Sequence, residues 1–322
     1  MASKSSLKRA LNLLDKHGAR SPGKRTKDFV PTGLIGFDES IGGGLVKGRI
    51  YEVAGMEQAG KTTFVCECIK AIQALGQTVL YNDYEHVFDI NYAEDMGVDI
   101  SEEMFIFEQP KTLEAGMAVS RALIETGDIG MDATDSVAAM VAKMEIEADE
   151  KGKNQPAMQA RAFGPKLKQY IQLLSSTGTI GIFVNQVRAD FSKWGSGLAT
   201  PGGKALKFFA SSRMFMSAGK SKVYDDGIHA KIRIWKNKQS PDQRGLSEYE
   251  IRPSKGIVRE EELLDIGKKK GLIKERGGIF KIKDKSIRGR EKMMEALQDD
   301  RIREWIVSSE TTEDSEQEEV VS

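Results

Sequence analysis

The sequence predicts an α/β fold wound around a mostly parallel central sheet, and three observations carry that expectation. Residues 55–62 read Gly-Met-Glu-Gln-Ala-Gly-Lys-Thr, a loop of the G-x-x-x-x-G-K-[ST] type. A strand-forming run at 49–54 precedes it, and residues 63–75 follow with Phe64, Ile69, Ile72 and Leu75 among good helix formers. From Pro31 to about Ser254 the chain then alternates strand and helix patterns, as a wound sheet requires. At 322 residues there is room for one sizeable α/β unit and a smaller one.

In chain order, Leu7, Leu11 and Leu14 at helical spacing, ended by Gly18, predict a short amphipathic helix. It cannot bury its stripe alone, so it packs on its own core or on a neighbour. Residues 20–25 read as a linker, which closes an N-terminal segment at 1–30. Buried strands are expected at 78–83 and 179–184, and helices at 111–126 and 158–175. Later strands are expected at 213–216, 229–235 and 247–251. The strand before Asp135 reads Ile-Gly-Met-Asp-Ala-Thr, although a strand covered on both faces should be almost wholly apolar. Asp132 and Thr134 therefore predict a shorter strand or one wetter face. The core spans 31–255, and a small helical unit follows at 256–307, closing with Met293, Leu297, Ile302, Trp305 and Ile306. Residues 308–322 form an acidic tail with too little apolar surface to offset its ordering entropy, and disorder is expected there.

Composition narrows the classes. Hydrophobic residues make up 39% and charged residues 30% of the chain, as in a soluble globular protein. Cys66 and Cys68 lie two apart on one predicted helix and point to different faces, so they predict neither a disulfide nor a metal pair. His17, His86 and His229 are scattered, against a zinc site. No apolar run approaches the ~20 residues of a membrane span, and the basic N-terminus lacks a signal-peptide core, so a cytoplasmic address is expected. The net charge of zero conceals an uneven distribution: eight basic residues against one acid at 4–27, eleven against three at 268–292, and six acids without a base at 310–319. Such basic segments are candidates for phosphate-backbone contact, or else solvated surface.

The loop motif points to a nucleoside triphosphate. Glycine lets the backbone curl so that N–H groups face inward, and the helix start adds its partial positive charge. Gly55, Glu57, Gln58, Ala59, Gly60, Lys61, Thr62 and Thr63 would cradle the phosphates, with Lys61 on the β/γ-phosphates and the Thr62 hydroxyl on Mg²⁺. Phosphate transfer to water also needs a magnesium carboxylate, a group that activates water and a sensor of the γ-phosphate. Asp135, Glu85 and Gln186 suit those three tasks in turn, and in chain order Glu85, Asp135 and Gln186 each lie at or just past the end of a predicted strand. One acid at a strand end is as often a helix cap, so the joint order is what counts.

The phosphate loop, the stretch 84–89 (Tyr-Glu-His-Val-Phe-Asp) with Tyr92, and 97–100 (Gly-Val-Asp-Ile) together resemble the bacterial RecA recombinase family. So do 135–139 (Asp-Ser-Val-Ala-Ala), 185–188 (Asn-Gln-Val-Arg), Gly202-Gly203 with 205–208 (Ala-Leu-Lys-Phe), and 236–238 (Lys-Asn-Lys). The match runs in order from about Leu7 to about Ile306, as in a compact, phage-encoded or cellular, strand-exchange recombinase. The resemblance implies a RecA-like ATPase core, with ATP and Mg²⁺ as cofactors. It implies Glu85 as the water-activating carboxylate and Gln186 as the switch that couples ATP to DNA. Asp89 and Tyr92 would surround the adenine. Lys207, Phe208, Lys236 and Lys238 would act across a protomer interface, and the N-terminal segment would join protomers. Two lysines flanking one asparagine on a strand share a face, which suits that role. Two segments, at 147–157 and 188–203, resemble the family's DNA-binding loops; Arg161 and Lys168, on the helix after the first, and Arg188, Trp194, Gly202 and Gly203, in the second, would bind DNA. Basic groups interleaved with aromatics suit single strands. The chain departs from the family in Pro156, where an apolar wedge is usual, and in Ile90, where proline usually follows the adenine-side aspartate.

The function expected is ATP-dependent recombination. Protomers would form helical filaments on single-stranded DNA, pair it with homologous duplex and exchange strands, with DNA-stimulated ATP hydrolysis. A single-strand-binding protein or a loader is an expected partner, and no membrane is. The alternatives are a ring-forming, helicase-like motor on the same core or a non-hydrolysing DNA-binding accessory.

Overall fold

A computed structural model describes residues 27–151, 158–189, 198–240, 245–253 and 255–309. The predicted helix at 7–18, Trp194 and the acidic tail beyond Ser309 lie outside them. In the N-terminal part, β1 (Phe29–Val30) pairs with β2 (Leu45–Val46) on either side of helix α1 (Ile35–Ile41). Then β3 (Ile50–Gly55) leads through the phosphate loop into α2 (Lys61–Gln73), and β4 (Thr78–Asp83) follows. Next come α3 (Ile90–Asp95), β5 (Phe105–Glu108), α4 (Leu113–Ile124), β6 (Ile129–Asp135), α5 (Lys143–Glu150), α6 (Met158–Thr177) and β7 (Ile180–Gln186). The pair β8 (Arg188–Ala189) and β9 (Leu198–Ala199) and the short α7 (Gly203–Phe209) precede the long strands β10 (Ser212–Lys220), β11 (Ile228–Asn237) and β12 (Leu246–Arg252), and then β13 (Gly256–Ile257).

Nine strands form one sheet in the order β13-β12-β11-β10-β3-β7-β6-β4-β5. From β10 to β5 every neighbouring pair is parallel, whereas β10 to β13 are antiparallel, so the sheet is mixed and mostly parallel. Strand period 2 sorts its side chains between two layers. Tyr51, Val53, Val79, Tyr81, Ile182 and Val184 face one core with Phe37 of α1 and Phe64, Ile69 and Ile72 of α2. Ile50, Leu80 and Phe183 face the other, with Phe163, Leu167 and Leu174 of α6 and Leu206 of α7. Phe37 and Phe64 meet edge to face at 4.8 Å, which seats the phosphate-loop helix.

Two expectations change. The strand at Asp135 is full length and its Asp132 is buried. Neither a shorter strand nor a wetter face was needed, because Asn82 Nδ2 (2.7 Å) and the Tyr170 hydroxyl (2.7 Å) donate to the carboxylate. The unit after β13 is not purely helical either. Helix α8 (Arg259–Lys269) is followed by a three-stranded antiparallel sheet of β14 (Ile273–Arg276), β15 (Ile279–Ile282) and β16 (Lys285–Arg288), then α9 (Arg290–Leu297) and α10 (Asp300–Ser308). Gly277 and Gly278, both at positive φ, turn the first hairpin. The strands of this sheet are four residues long and interrupted by lysines and arginines, so their period is hard to see. Ile273, Phe280 and Ile282 are buried in the small core of Leu264, Met293, Leu297 and Ile306, and Ile287 packs against it.

Candidate nucleotide and DNA site

The phosphate loop takes its shape from positions where a side chain would not fit. A Cβ on Gly55 would lie 2.5 Å from the Met216 carbonyl oxygen, and one on Gly60 would lie 2.6 Å from Ile251 Cδ1. Gln58 (φ +56°) and Gly60 (φ +81°) are left-handed, which curls the loop into an anion-binding concavity at the start of α2. Lys61 Nζ donates to the Met56 carbonyl at 2.6 Å. Burial lowers the pKa of this ammonium, while the charges of Asp135, Glu85 and Glu57 work against that shift.

These residues open onto a cleft of about 470 Å³ at the carboxyl ends of the parallel strands. Glu57, Gln58, Ala59, Gly60, Lys61, Thr62 and Thr63 line it together with Glu85, Tyr92, Asp135 and Gln186. Glu85 is aimed by the turn before it. The Asp83 carboxylate accepts from the N–H groups of Glu85 (3.1 Å), His86 (2.9 Å) and Phe88 (3.2 Å), and so holds the chain as it leaves β4. Glu85 Oε1 then accepts from Gln186 Nε2 at 3.0 Å and from the Ser136 hydroxyl. Asp135 accepts from the Tyr81 hydroxyl at 2.8 Å. Its pKa is pushed up to about 6, by burial first and by the nearby Glu85 and Asp83 charges, against the pull of Tyr81 and Lys61. Thr62 and Asp135 offer hard oxygen donors to one cleft. Among the described residues no cluster of three or more His, Cys, Asp or Glu could hold a metal. Two protein oxygens completed by phosphate oxygens fit Mg²⁺.

On the base side, the Tyr92 hydroxyl bonds Thr63 Oγ1 at 2.9 Å, which fixes its ring to the phosphate-loop helix. Asp89 is not among the cleft residues; its carboxylate caps α3 by accepting from the Tyr92 N–H at 3.1 Å. Sequence reasoning missed the opposite wall of Asp226, Ile228, Ile251 and Pro253, and also Val87. Val87 sits inside the 84–89 motif without having been singled out, whereas no local motif marks the other four, because β11 and β12 reach the cleft only through the sheet.

Away from the cleft, Lys236 Nζ donates to the carbonyls of Lys207 (2.6 Å) and Phe208 (3.0 Å), and Lys238 Nζ donates to Phe208 (3.2 Å). The four residues expected at an interface thus form one cluster, with the Phe208 ring 69% exposed. Arg161 and Lys168 lie exposed on α6. Gly202 and Gly203 are left-handed, and a Cβ on either would crowd Val137 (2.7 Å) or Ala160 (2.8 Å). Packing within the chain already demands these glycines. Arg188 starts β8 at the foot of the second loop, and Trp194 lies outside the described residues.

A family model described as the RecA N-terminal domain matches residues 12–258. The chain is 38% identical over 278 residues to Protein RecA of Rickettsia canadensis (strain McKiel), an alignment covering 84% of this chain and 80% of that one. It is 38% identical to Protein RecA of Lactobacillus acidophilus, with 84% and 75% covered, and 36% identical to Protein RecA 1 of Myxococcus xanthus, with 84% and 80% covered. The chain belongs to the RecA family. With membership comes the family's activity: this RecA-family chain is an ATP-dependent DNA recombinase and a DNA-dependent ATPase, using ATP with Mg²⁺ in DNA recombination and repair. It binds single-stranded DNA and self-associates into filaments, as the family does. No described helix is long and apolar enough to cross a membrane.

Proposed function

We propose that the cleft hydrolyses ATP through Glu85 and transmits the state of the γ-phosphate to DNA through Gln186. The observation that carries this reading is the Gln186 Nε2 to Glu85 Oε1 hydrogen bond of 3.0 Å, which ties the two residues together inside one cleft. Gln186 and Ser136 both engage Oε1, which leaves Oε2 to take the proton of the attacking water. Lys61 exchanges its loop carbonyl for the β/γ-phosphates, and the loop N–H groups hold the remaining charge. Thr62 and Asp135 would hold Mg²⁺, which would supply positive charge to the phosphate oxygens. Tyr92 packs on the adenine from one side, with Ile228, Ile251 and Pro253 opposite; Asp89 orders Tyr92 and lies at the rim.

In the same reading Lys236 and Lys238 reach the nucleotide of the neighbouring protomer, with Lys207 and Phe208 at that interface. Arg161, Lys168, Arg188, Trp194, Gly202 and Gly203 border the single strand. The core at 31–255 carries ATP and DNA, and the unit at 256–307, with its own small core, is appended to it. Residues 1–30 join protomers. The reading places the protein in the cytoplasm, working with a single-strand-binding protein or a loader.

Glu85→Gln tests the central step. The amide cannot accept the proton, so nucleotide affinity should persist while DNA-stimulated turnover falls by about 10²-fold or more. Turnover within tenfold of the unaltered protein would remove Glu85 as the base.

A further inference from the structure

Glu52 lies in the middle of β3, three residues before the phosphate loop, and its relative exposure is 0%. A buried carboxylate is costly unless it is paired, and this one has two partners on the two flanking strands. Asn185 Nδ2 of β7 donates to Oε1 at 3.0 Å, and Arg213 Nε of β10 donates to Oε2. Arg213 is also the direct register partner of Glu52 across the parallel pair. Neither strand partner stops at Glu52. Asn185 Nδ2 also donates to the Pro201 carbonyl at 3.1 Å, and an Arg213 Nη donates to Thr200 Oγ1 at 3.4 Å. Thr200 and Pro201 are the returning end of the second candidate DNA loop, immediately after β9. On its other side the Asn185 Oδ1 accepts the N–H of Gln186 at 3.1 Å. Both ends of the Asn185 amide are thereby engaged, two donors and an acceptor, which leaves it a single orientation.

We propose that Glu52 is a positioning residue that locks the end of the 188–203 loop to Gln186, so that nucleotide state and DNA grip change together. The inference rests on the reading of Gln186 given above and extends it to residues that touch neither nucleotide nor DNA. Glu52 holds both loop anchors from one buried point. Gln186 and the loop end then share a rigid frame through Asn185, while Arg213 supplies the second tether. Remove one acceptor from Glu52 and the frame loses its fixed geometry, although the cleft itself is untouched. An amide at position 52 would set an N–H₂ group against either the Asn185 amide or the Arg213 guanidinium, all of them donors.

The test is Glu52→Gln, assayed for single-strand affinity with a non-hydrolysable ATP analogue and with ADP, alongside DNA-free nucleotide binding and thermal melting. The ratio of the two DNA affinities is the coupling. It should fall at least about fivefold, toward one, while nucleotide binding without DNA stays within about twofold. Thr200→Val, which removes only the outer contact of Arg213, keeps the test open should Glu52→Gln fold poorly; it should lower the ratio in the same direction. Asn185→Ala should lower it too, and adding Asn185→Ala to Glu52→Gln should cost little more, because both act through one frame. Ratios equal to that of the unaltered protein in folded Glu52→Gln and Thr200→Val overturn the proposal, as does full additivity in the double variant. If the unaltered protein itself shows no nucleotide-dependent DNA affinity, the coupling role of Gln186 fails, and the proposal falls with it.

Discussion

Asp132 occupies a strand covered on both faces, where the Asn82 and Tyr170 donors replace its water. They do not replace it completely: burial outweighs them and pushes its pKa from 3.8 up to about 6. The sign of the effect on stability follows. Below about pH 4 the carboxyl is protonated both folded and unfolded and imposes no charge penalty. Between about 4 and 6 the folded state holds a proton that the unfolded state has lost, so stability falls as pH rises, and above about 6 the full penalty is present. That rise in pKa corresponds to roughly 3 kcal/mol at most. Asp132→Asn keeps the shape, and the Tyr170 hydroxyl can turn to accept. The variant should therefore gain stability relative to the unaltered protein as pH rises through that window, read as a difference in melting temperature at pH 4 and pH 7.5. A difference that does not vary with pH would mean that the carboxyl is not the strained group.

Arg259 shows how one helix is tied to two distant parts of the chain. It opens α8 and donates to Glu67 of α2 and to the carbonyls of Gly33 (3.3 Å) and Thr32 (3.5 Å). Glu67 is buried and takes a second donor from Lys70 at 2.8 Å. Nearby, Glu262 of α8 accepts the Gly36 N–H at 2.7 Å, with its pKa raised to about 7 by burial. The first helix after the sheet is thus bonded to the helix that follows the phosphate loop. Arg259→Ala leaves Glu67 with Lys70 alone and should cost roughly 1–3 kcal/mol in urea unfolding. A loss below about 0.5 kcal/mol would show that Lys70 satisfies Glu67 without help.

At the scale of the whole molecule, the cluster of Lys236, Lys238, Lys207 and Phe208 lies outside its own protomer's cleft lining. Burial, and then the neighbouring Lys238, lower the pKa of Lys236 to about 8, a shift that an anionic partner would reverse. If that partner is the neighbour's nucleotide, complementation follows. Lys236→Ala with Lys238→Ala should bind ATP yet lack DNA-stimulated turnover, and Glu85→Gln should lack it as well. Mixed, they form interfaces where an intact Glu85 faces intact lysines, so turnover should return. Normal DNA-stimulated turnover of the double-lysine variant on its own, or a mixture no more active than its two inactive components, would defeat the role in trans.

The phosphate loop, the strand–helix alternation and the order of Glu85, Asp135 and Gln186 were legible in residue order, because motifs and periods of 2 and 3.6 are local properties. The strands at 78–83 and 179–184 and the helix at 158–175 were legible for the same reason. The short lysine-rich strands β14 to β16 were not, since four residues carry too little period to recognise. Nor was the tolerance of Asp132 in a covered strand, which depends on Tyr170 reaching it from another helix. The wall of Ile228, Ile251 and Pro253, the clamp of Arg259 and the buried meeting of Glu52, Asn185 and Arg213 join residues far apart in the chain. Only tertiary structure decides such contacts, because they form when strands and helices distant in sequence are packed side by side.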